Sequence, residues 1–319
     1  MNKILIIVVI LLTLFSCRQD SKIDVDVSKI NVNVNIERFE QKFYKQTEKT
    51  LPNLKKEYSY LFPIQNSDSV WLQKIRDLKE NELNDSAQIV FKSMMTAKKE
   101  IESLFKHIKY YNPNFNSPKI ITLITNLDYE NKVMYADSLL FISLDMYLGR
   151  NSRFYKDFPD YISRNFDKSQ LAVDIANEIG STYFYPSKKR QFIDLLIDEG
   201  KKMYELDCYL PIVSDATKMG YLMEEIEWAK NNETQIWKYF IENNLLFSSD
   251  PKLTTRFIES APFSKFFIDI DKESPGRIGV WLGWQIVRSY MKNNNVTLQQ
   301  LLNANADEIF KNSKYKPKK

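Results

Sequence analysis

The sequence predicts an α+β protein that is mainly helical and contains a small antiparallel sheet. The chain of 319 residues is 44% hydrophobic and 13% aromatic, which is enough material for a folded core. Apolar residues recur at helical spacing in the first third of the chain and through most of its second half. Between these parts, at about 117–145, short runs rich in Ile, Leu and Thr are typical of strands.

The first 17 residues are typical of a signal peptide. Lys3 precedes the apolar run Ile4–Leu12, and Ser16-Cys17 ends the segment. The apolar run extends to about 12 residues, whereas a membrane-spanning helix needs roughly 20. A small residue directly before Cys is the pattern of lipoprotein processing, so Cys17 is predicted to carry lipid and to anchor the chain to a bacterial membrane. The rest of the chain would then lie in the cell envelope, outside the cytoplasm.

The remaining chain is predicted to be a polar tether followed by one domain. Residues 18–29 are polar and suit a spacer between lipid and domain. Residues 30–319 are interpreted as a single mainly helical α+β domain. Its sheet region is expected at about 117–145 and its helical part at about 157–312. No later stretch approaches the length of a membrane-spanning helix, so the lipid is expected to be the sole anchor.

Local sequence patterns predict the individual strands and helices. The alternation of Val and Asn in Ile30–Ile36 predicts a strand. Helical periodicity predicts two or three amphipathic helices in Glu37–Phe62 and Ser69–Lys109, the second opened by the cap at Ser67. Two β-rich runs, Lys119–Thr125 and Ser138–Leu144, with a Val-Met-Tyr segment between them, are expected to form a small antiparallel sheet. Beyond Asp157 the pattern is helical, with breaks expected near Pro186, at 211–215, at 248–251 and at 273–276.

Composition excludes several classes of function. The net charge of +4 falls to about +3 without Lys3 and is spread over the chain, so no nucleic-acid binding is predicted. If Cys17 carries lipid, Cys208 is the one remaining cysteine and no intrachain disulfide forms. The single histidine, His107, rules out most zinc sites and His-dependent triads, and it has no partner at metal-ligand spacing. His107 is therefore expected at the surface or its boundary, and no metal or cofactor is predicted.

A helical segment around residue 178 presents a polar face. Asp174, Asn177, Glu178 and Ser181 follow the spacing i, i+3, i+4, i+7 and share one side of a predicted helix. Opposite them lies an apolar face. A solvated surface is the simplest interpretation of such a face, and a carboxylate-bearing cleft is the functional one.

Two further side chains are candidates for chemistry. Glu199 falls within an apolar helical stripe that begins at Phe192, and a carboxylate directed toward a core must be paired, hydrogen-bonded, bound to a ligand or neutral. An ion pair within the core is the competing interpretation. Arg277 lies beside glycines 276, 279 and 283 and could clamp an anion. The glycines themselves are more simply explained by close packing of helices.

Several longer segments resemble the gliding-motility lipoprotein GldB family. They are Asp198–Tyr204, Ser214–Tyr221, Ile236–Phe240, Ala261–Ser264 and Glu273–Val287. The resemblance extends over nearly the whole chain, including the lipidation motif. It implies a role in gliding motility and its linked protein-secretion machinery, with other envelope proteins of that machinery as partners. It implies no established biochemical activity.

The chain also resembles, distantly, the zinc peptidases that carry HExxH on one helix and a glutamate ligand on a later one. The matching segment is Asn177–Ser181, with Glu199 in the place of the third ligand. Asn177 and Ser181 replace the two histidines that such a site needs for zinc. The resemblance therefore implies a zincin-like scaffold that has lost its metal. Its degenerate cleft would be formed by Asp174, Asn177, Glu178, Ser181, Glu199 and Arg277.

Two functions follow from these observations. The first is a non-catalytic lipoprotein that assembles or stabilises the gliding and secretion apparatus. The alternative is an envelope protein that uses the degenerate cleft, either as a carboxylate-based hydrolase or to bind a peptide or glycan. A hydrolase of this kind would use Glu178, Glu199 and Asp174 as acid and base, as paired carboxylates do in glycan cleavage.

Overall fold

The computed structural model describes residues 22–136, 138–269 and 271–317. Cys17 and the predicted signal peptide lie outside the described residues. The strands are β1 (Ile36–Glu37), β2 (Lys119–Leu123), β3 (Val133–Ala136) and β4 (Leu139–Ser143). The helices before and just after the sheet are α1 (Phe39–Phe43), α2 (Leu51–Glu57), α3 (Asp68–Arg76), α4 (Leu78–Val90), α5 (Met95–Tyr111) and α6 (Asp160–Ser163). The later helices are α7 (Leu171–Ser181), α8 (Phe192–Tyr209), α9 (Asp215–Met219), α10 (Met223–Asn231), α11 (Glu233–Glu242), α12 (Lys252–Phe257), α13 (Ile278–Asn293), α14 (Leu298–Asn303) and α15 (Ala306–Asn312).

The sheet has the strand order β1-β2-β4-β3 and is mixed. β2 pairs in parallel with β1 and with β4, and only β3 runs antiparallel, to β4. The prediction of an antiparallel sheet was therefore wrong, although the α+β class and the mainly helical content are confirmed. The physical reason lies in the connections. Helices α1 to α5 connect β1 to β2, which is the long crossover that a parallel pair requires. Between β2 and β4 the chain first forms β3 on the far side of β4, so β4 returns in the direction of β2.

Both faces of the sheet are covered. Ile120 and Ile121 are adjacent on β2 and fully buried, but Ile120 packs into a large core and Ile121 into a smaller one. The smaller core is aromatic and includes Phe39, Phe43 and Tyr58 from the first helical segment. A strand buried on both faces has a nearly continuous apolar sequence instead of an alternating one, and 120–124 fits this pattern except at Thr122.

The large core is organised around α8. This helix packs most extensively against α13 and also against α5 and α7. Where α8 crosses α13, a Cβ on Gly283 would meet the backbone carbonyl of Leu196, and a Cβ on Gly200 would meet the carbonyl of Gly283. The two backbones can approach this closely only because both positions lack a side chain. The expectation that the glycines near residue 280 serve helix packing is confirmed.

The N-terminal segment differs in detail from its prediction. Residues 30–37 do alternate in exposure, with Val34 buried, yet the strand ladder is confined to Ile36–Glu37. The predicted helix over Glu37–Phe62 is divided into α1 and α2 by turns at Phe43–Gln46 and Thr47–Thr50. In the second half of the chain the predicted breaks coincide with ends of helices, such as Ser181 before Pro186 and Tyr209 before Pro211.

Residues 22–29, the second part of the predicted tether, lie against the folded chain. Lys22 Nζ donates to the carbonyl of Met291 at 3.0 Å, and Tyr111 Oη donates to the carbonyl of Lys22 at 2.7 Å. These contacts fix the chain at the carboxyl end of α13. Across the described ranges, the helices are either too short or too polar to cross a bilayer.

Candidate functional site

The polar face predicted around Glu178 lies on α7 and faces the sheet. Asp174 Oδ2 accepts hydrogen bonds from Lys132 Nζ at 2.6 Å and from Tyr147 Oη at 2.8 Å. The side chains of Lys132 and Asp174 are each about one-fifth exposed, and Tyr147 is fully buried. Burial and the neighbouring carboxylate of Asp174 raise the pKa of Tyr147 well above its ordinary value. Tyr147 is therefore a hydrogen-bond donor at every physiological pH.

Glu178 is bound to the backbone of the edge strand. Its Oε1 accepts from the N–H of Tyr135, in β3, at 3.1 Å. Ser143 N donates to Lys132 O across the β3–β4 pair. Since hydrogen-bonding partners alternate along an antiparallel pair, the N–H of Tyr135 points away from β4 toward the open edge of the sheet. Glu178 thus satisfies a donor that the sheet itself leaves unpaired.

Asn177 and Ser181 lie on the exposed side of α7. Asn177 is exposed, and so is Ser181, whose Oγ donates to the carbonyl of Glu178 at 2.7 Å within the helix. Asn177 and Ser181 share a face of the helix because they are four residues apart, as the sequence predicted. The carboxylate of Glu178 is directed to the strand.

The other two predicted site residues lie elsewhere. Glu199 is half-buried and forms an ion pair with Lys202 at 2.6 Å, one turn along α8. The expectation that Glu199 points into the core was wrong, because α8 is buried on several sides and Glu199 occupies its more exposed one. Arg277 precedes α13 in a left-handed conformation (φ 58°), and its Nη1 donates to the carbonyl of Met219 at 3.3 Å. Arg277 therefore contacts the end of α9.

These residues do not fit the zinc ion that the peptidase resemblance implies. Zinc sites in proteins use thiolate, imidazole and carboxylate ligands, whereas positions 177 and 181 carry an amide and a hydroxyl. Glu178 is already bonded to Tyr135, and Glu199 to Lys202. Within the part of the chain that the structure describes, no group of three His, Cys, Asp or Glu side chains could hold a metal ion.

Two buried acidic residues of α8 were missed by sequence reasoning. Glu205 is 3% exposed, and a Cβ on Gly180 of α7 would collide with its carboxylate. Tyr209 Oη donates to Glu205 Oε1 at 2.8 Å. Burial raises the pKa of Glu205 to about 7, although the bond from Tyr209 lowers it. The signal available in the sequence was that α8 carries apolar residues on several faces, so some of its polar residues had to be buried too.

The second missed residue is Asp207, which lies in a buried ion-pair network between α8, α9 and α13. Arg288 forms a bidentate pair with Asp207 through Nε at 2.7 Å and Nη2 at 2.8 Å. Trp284 Nε1 and Lys218 Nζ also donate to Asp207, at 2.8 and 2.9 Å. Arg288 binds Asp215 as well, at 2.8 Å. All of the partners come from the chain itself, so this network is structural.

The side chains of His107 and Cys208 are both buried in the fold. His107 is only 7% exposed, so its predicted place at the surface was wrong. Its Nδ1 donates to the carbonyl of Ser103 at 2.8 Å, within α5. Cys208 is a free, buried thiol, and burial raises its pKa above the ordinary value. A buried thiol of this kind is a poor nucleophile at neutral pH.

A family model described as gliding motility protein GldB matches residues 20–317, nearly the whole chain. No curated protein and no solved structure matches the chain.

Proposed function

Since the chain belongs to the gliding motility protein GldB family, we propose that it acts as a lipid-anchored, non-catalytic component that assembles or stabilises the gliding apparatus and its linked secretion machinery in the cell envelope. Its partners would be the membrane, through the lipid on Cys17, and other envelope proteins of that machinery. The scaffold is proposed to derive from a zincin-like peptidase that lost its metal, and residues 30–319 to act as one domain.

The observation that supports this proposal is that the carboxylates on the polar face of α7 already accept hydrogen bonds from the chain. Asp174 is held by Lys132 and Tyr147, and Glu178 is held by the backbone of Tyr135. A general acid or base must be free to reach a proton on a substrate. Carboxylates that already stabilise the packing of a helix on a sheet are better suited to a structural role.

The anchor would place a particular end of the molecule near the membrane. Lys22 is fixed at the carboxyl end of α13, and five residues of extended chain span at most about 18 Å. The end of α13 would then lie within that distance of the lipid on Cys17, plus the length of the Lys22 side chain and its 3.0 Å hydrogen bond. A spin label at Lys292→Cys should be broadened by paramagnetic lipid headgroups, and an unbroadened label would contradict this orientation.

The experiment that tests the proposal compares gliding and secretion in cells that carry single variants. Glu178→Gln keeps an oxygen that can accept from Tyr135 N–H but removes the carboxylate, so a non-catalytic protein should still support gliding. Glu199→Gln should also be tolerated, because a partly exposed ion pair between residues one turn apart on a helix contributes about 1 kcal/mol or less. Cys17→Ala should abolish gliding and release the protein from the membrane fraction.

The opposite pattern would favour the carboxylate-based hydrolase. If Glu178→Gln and Glu199→Gln each abolish gliding while protein level and membrane attachment stay normal, a non-catalytic role is contradicted. Asn177→Ala is the matched control on the exposed side of the same helix, since it alters no carboxylate. Firm membrane attachment of the Cys17→Ala protein would contradict the lipid anchor.

A further inference from the structure

Two arginines line a small cleft between the ends of α6 and α9 and the beginning of α13. Arg164 directly follows α6, and Arg277 directly precedes α13. The cleft is open to solvent, and its volume of about 40 Å³ holds about three water molecules. Burial raises the pKa of the Tyr221 phenol in the wall of the cleft, and the charges of Arg277 and Arg164 both oppose this rise. Both guanidinium groups therefore lie close to the same buried ring.

Carboxylates compensate these two guanidinium groups only in part. Arg164 Nη1 donates to Glu225 at 2.9 Å, which is the single ion pair at this cleft among the described residues. Arg277 Nη1 donates to the carbonyl of Met219 at 3.3 Å. The other side-chain nitrogens of Arg277 bond to no described residue and are open to solvent. Two positive charges and one neighbouring negative charge leave the cleft with a net charge of about +1.

Two hydroxyl groups in the wall of the cleft add further donors. Tyr161 lies on α6 and is partly exposed, and Ser260 lies after α12 and is exposed. Neither hydroxyl bonds to another residue within the ranges that the structure describes. The described residues that line the cleft therefore offer N–H and O–H donors and include no carboxylate. Such a set favours a ligand that accepts hydrogen bonds and carries negative charge.

The backbone that carries Arg277 is held in place by neighbouring side chains. Tyr221 Oη donates to the carbonyl of Gly276 at 2.5 Å, and Ser264 Oγ donates to the carbonyl of Pro275 at 2.7 Å. Arg277 itself has a φ of 58°, a left-handed conformation that a residue with a Cβ rarely adopts. Because these contacts fix the backbone before a ligand arrives, less entropy is lost on binding.

We infer that this cleft, which we call the arginine cleft, binds the carboxylate of an acidic side chain on a segment of a partner protein. The planar guanidinium group of Arg277 matches a carboxylate, to which it can donate two parallel hydrogen bonds. The net charge of about +1 complements one carboxylate, whereas the charge of about −2 on a phosphate monoester would be only half compensated. The small volume admits one such group, so the rest of the segment would lie outside. The inference rests on the proposed function, since the segment would belong to another envelope protein of the gliding apparatus.

The test measures binding of two tripeptides, Ala-Glu-Ala and Ala-Gln-Ala, each acetylated and amidated at its ends. Both are titrated against the full-length protein in detergent and followed by ligand-observed NMR. The glutamate peptide should bind about tenfold more tightly than the glutamine peptide, because only its carboxylate forms charge-assisted hydrogen bonds. Arg277→Gln should weaken binding of the glutamate peptide about tenfold. Arg153→Gln removes an exposed arginine outside the cleft, and this matched control should leave Kd unchanged.

Tyr161→Phe keeps the test decisive if Arg277→Gln is unstable. The change removes a hydroxyl that has no partner in the described part of the chain, so the fold should be unaffected. Binding of the glutamate peptide should weaken about threefold, which corresponds to the loss of one neutral hydrogen bond.

Three results would overturn the inference. Absent binding of the glutamate peptide, or equal binding of the two peptides, would show that the carboxylate is not recognised, and this comparison needs no protein variant. A Kd that is unchanged in both Arg277→Gln and Tyr161→Phe would place the binding elsewhere on the molecule. Displacement of the glutamate peptide by a lower concentration of inorganic phosphate would assign the cleft to phosphate. None of these results bears on the gliding phenotypes of Glu178→Gln and Cys17→Ala, so failure here is distinguishable from failure of the proposed function.

Discussion

The buried carboxylates on the two sides of α8 differ in how many hydrogen bonds they receive. On the side that faces α13, Asp207 receives hydrogen bonds from Arg288, Trp284 and Lys218, so its charge is fully compensated within the chain. On the side that faces α7, Glu205 receives one hydrogen bond, from Tyr209, and its pKa rises to about 7. On the α13 side, the carboxylate of Asp207 needs no further hydrogen-bond donor. In the first turns of α8, Asp194 and Asp198 each keep one buried oxygen that no donor among the described residues reaches.

This contrast indicates where function is to be sought on this helix. A buried carboxylate surrounded by donors stabilises one arrangement of helices, and removal of either partner is costly. A buried carboxylate that lacks donors lowers stability unless a proton or a ligand supplies them. Variants on the two sides of α8 should therefore differ in their effect on the free energy of unfolding.

Removal of the Asp207 side chain should have the largest effect. Asp207→Ala leaves Lys218 buried without its carboxylate partner and frees half of the Arg288 guanidinium, so the free energy of unfolding should fall by about 3 to 5 kcal/mol. Urea unfolding followed by circular dichroism measures this loss. Glu227→Ala, which breaks the exposed pair with Lys230, is the control and should change stability by less than about 1 kcal/mol. A loss below that value in Asp207→Ala would contradict a structural network.

Gly283→Ala tests the close approach of α13 and α8. The added Cβ meets the backbone carbonyl of Leu196, which cannot move independently of its helix, so we expect a loss of about 3 kcal/mol or more. Gly180→Ala is the matched variant on the other side of α8. Its Cβ meets the carboxylate of Glu205, a side chain that can rotate, and the expected loss is about 1 to 2 kcal/mol. Equal losses of stability in the two variants would contradict the expectation that the contact of α8 with α13 is more rigid than its contact with α7.

Glu205→Gln should stabilise the protein in a pH-dependent manner. The pKa of Glu205 is raised from 4.5 to about 7 on folding. Between these values the unfolded chain releases the proton and the folded chain keeps it, so the free energy of unfolding decreases as pH rises through this interval and stays low above it. Glutamine is neutral throughout, so at pH 8 the variant should be more stable by about 3 kcal/mol.

The measurement for Glu205→Gln is urea unfolding at pH 5 and at pH 8. The difference between variant and unaltered protein should be small at pH 5 and large at pH 8. Glu227→Gln, at an exposed position, is the control and should show no such change with pH. A constant difference at both pH values would mean that Glu205 is ionised in the folded protein across this range.

Tyr147→Phe should have the smallest effect. The change removes one hydrogen bond to Asp174 while Lys132 remains in place, so the loss of stability should be about 1 kcal/mol. Thermal unfolding should show a modest fall in Tm, and gliding should be unaffected if the polar face of α7 is structural. A normal Tm together with lost gliding would instead give Tyr147 a functional role.

Several features of the fold were predictable because they depend on local pattern. The helix breaks at Pro186 and Pro211, and the N-cap at Ser67, follow from backbone preferences of single residues. The direction of the strands did not follow, since it depends on the connection between them. Likewise the shared face of Asp174 and Glu178 was predictable from spacing, but their bonds to Lys132 and Tyr135 join segments about 40 residues apart.

The sequence by itself determined the α+β class, the family, the predicted lipid anchor at Cys17 and the presence of Asn and Ser, not histidine, at positions 177 and 181. These follow from residue identity and short-range periodicity. Only the tertiary structure decided which carboxylates are satisfied. Asp194, Asp198, Glu205 and Asp207 all lie on α8 and are all buried, yet they differ in the donors around them. The donors that complete the shell of Asp207 include Trp284 and Arg288, 77 and 81 residues further along the chain, and spacing along one helix carries no information about them.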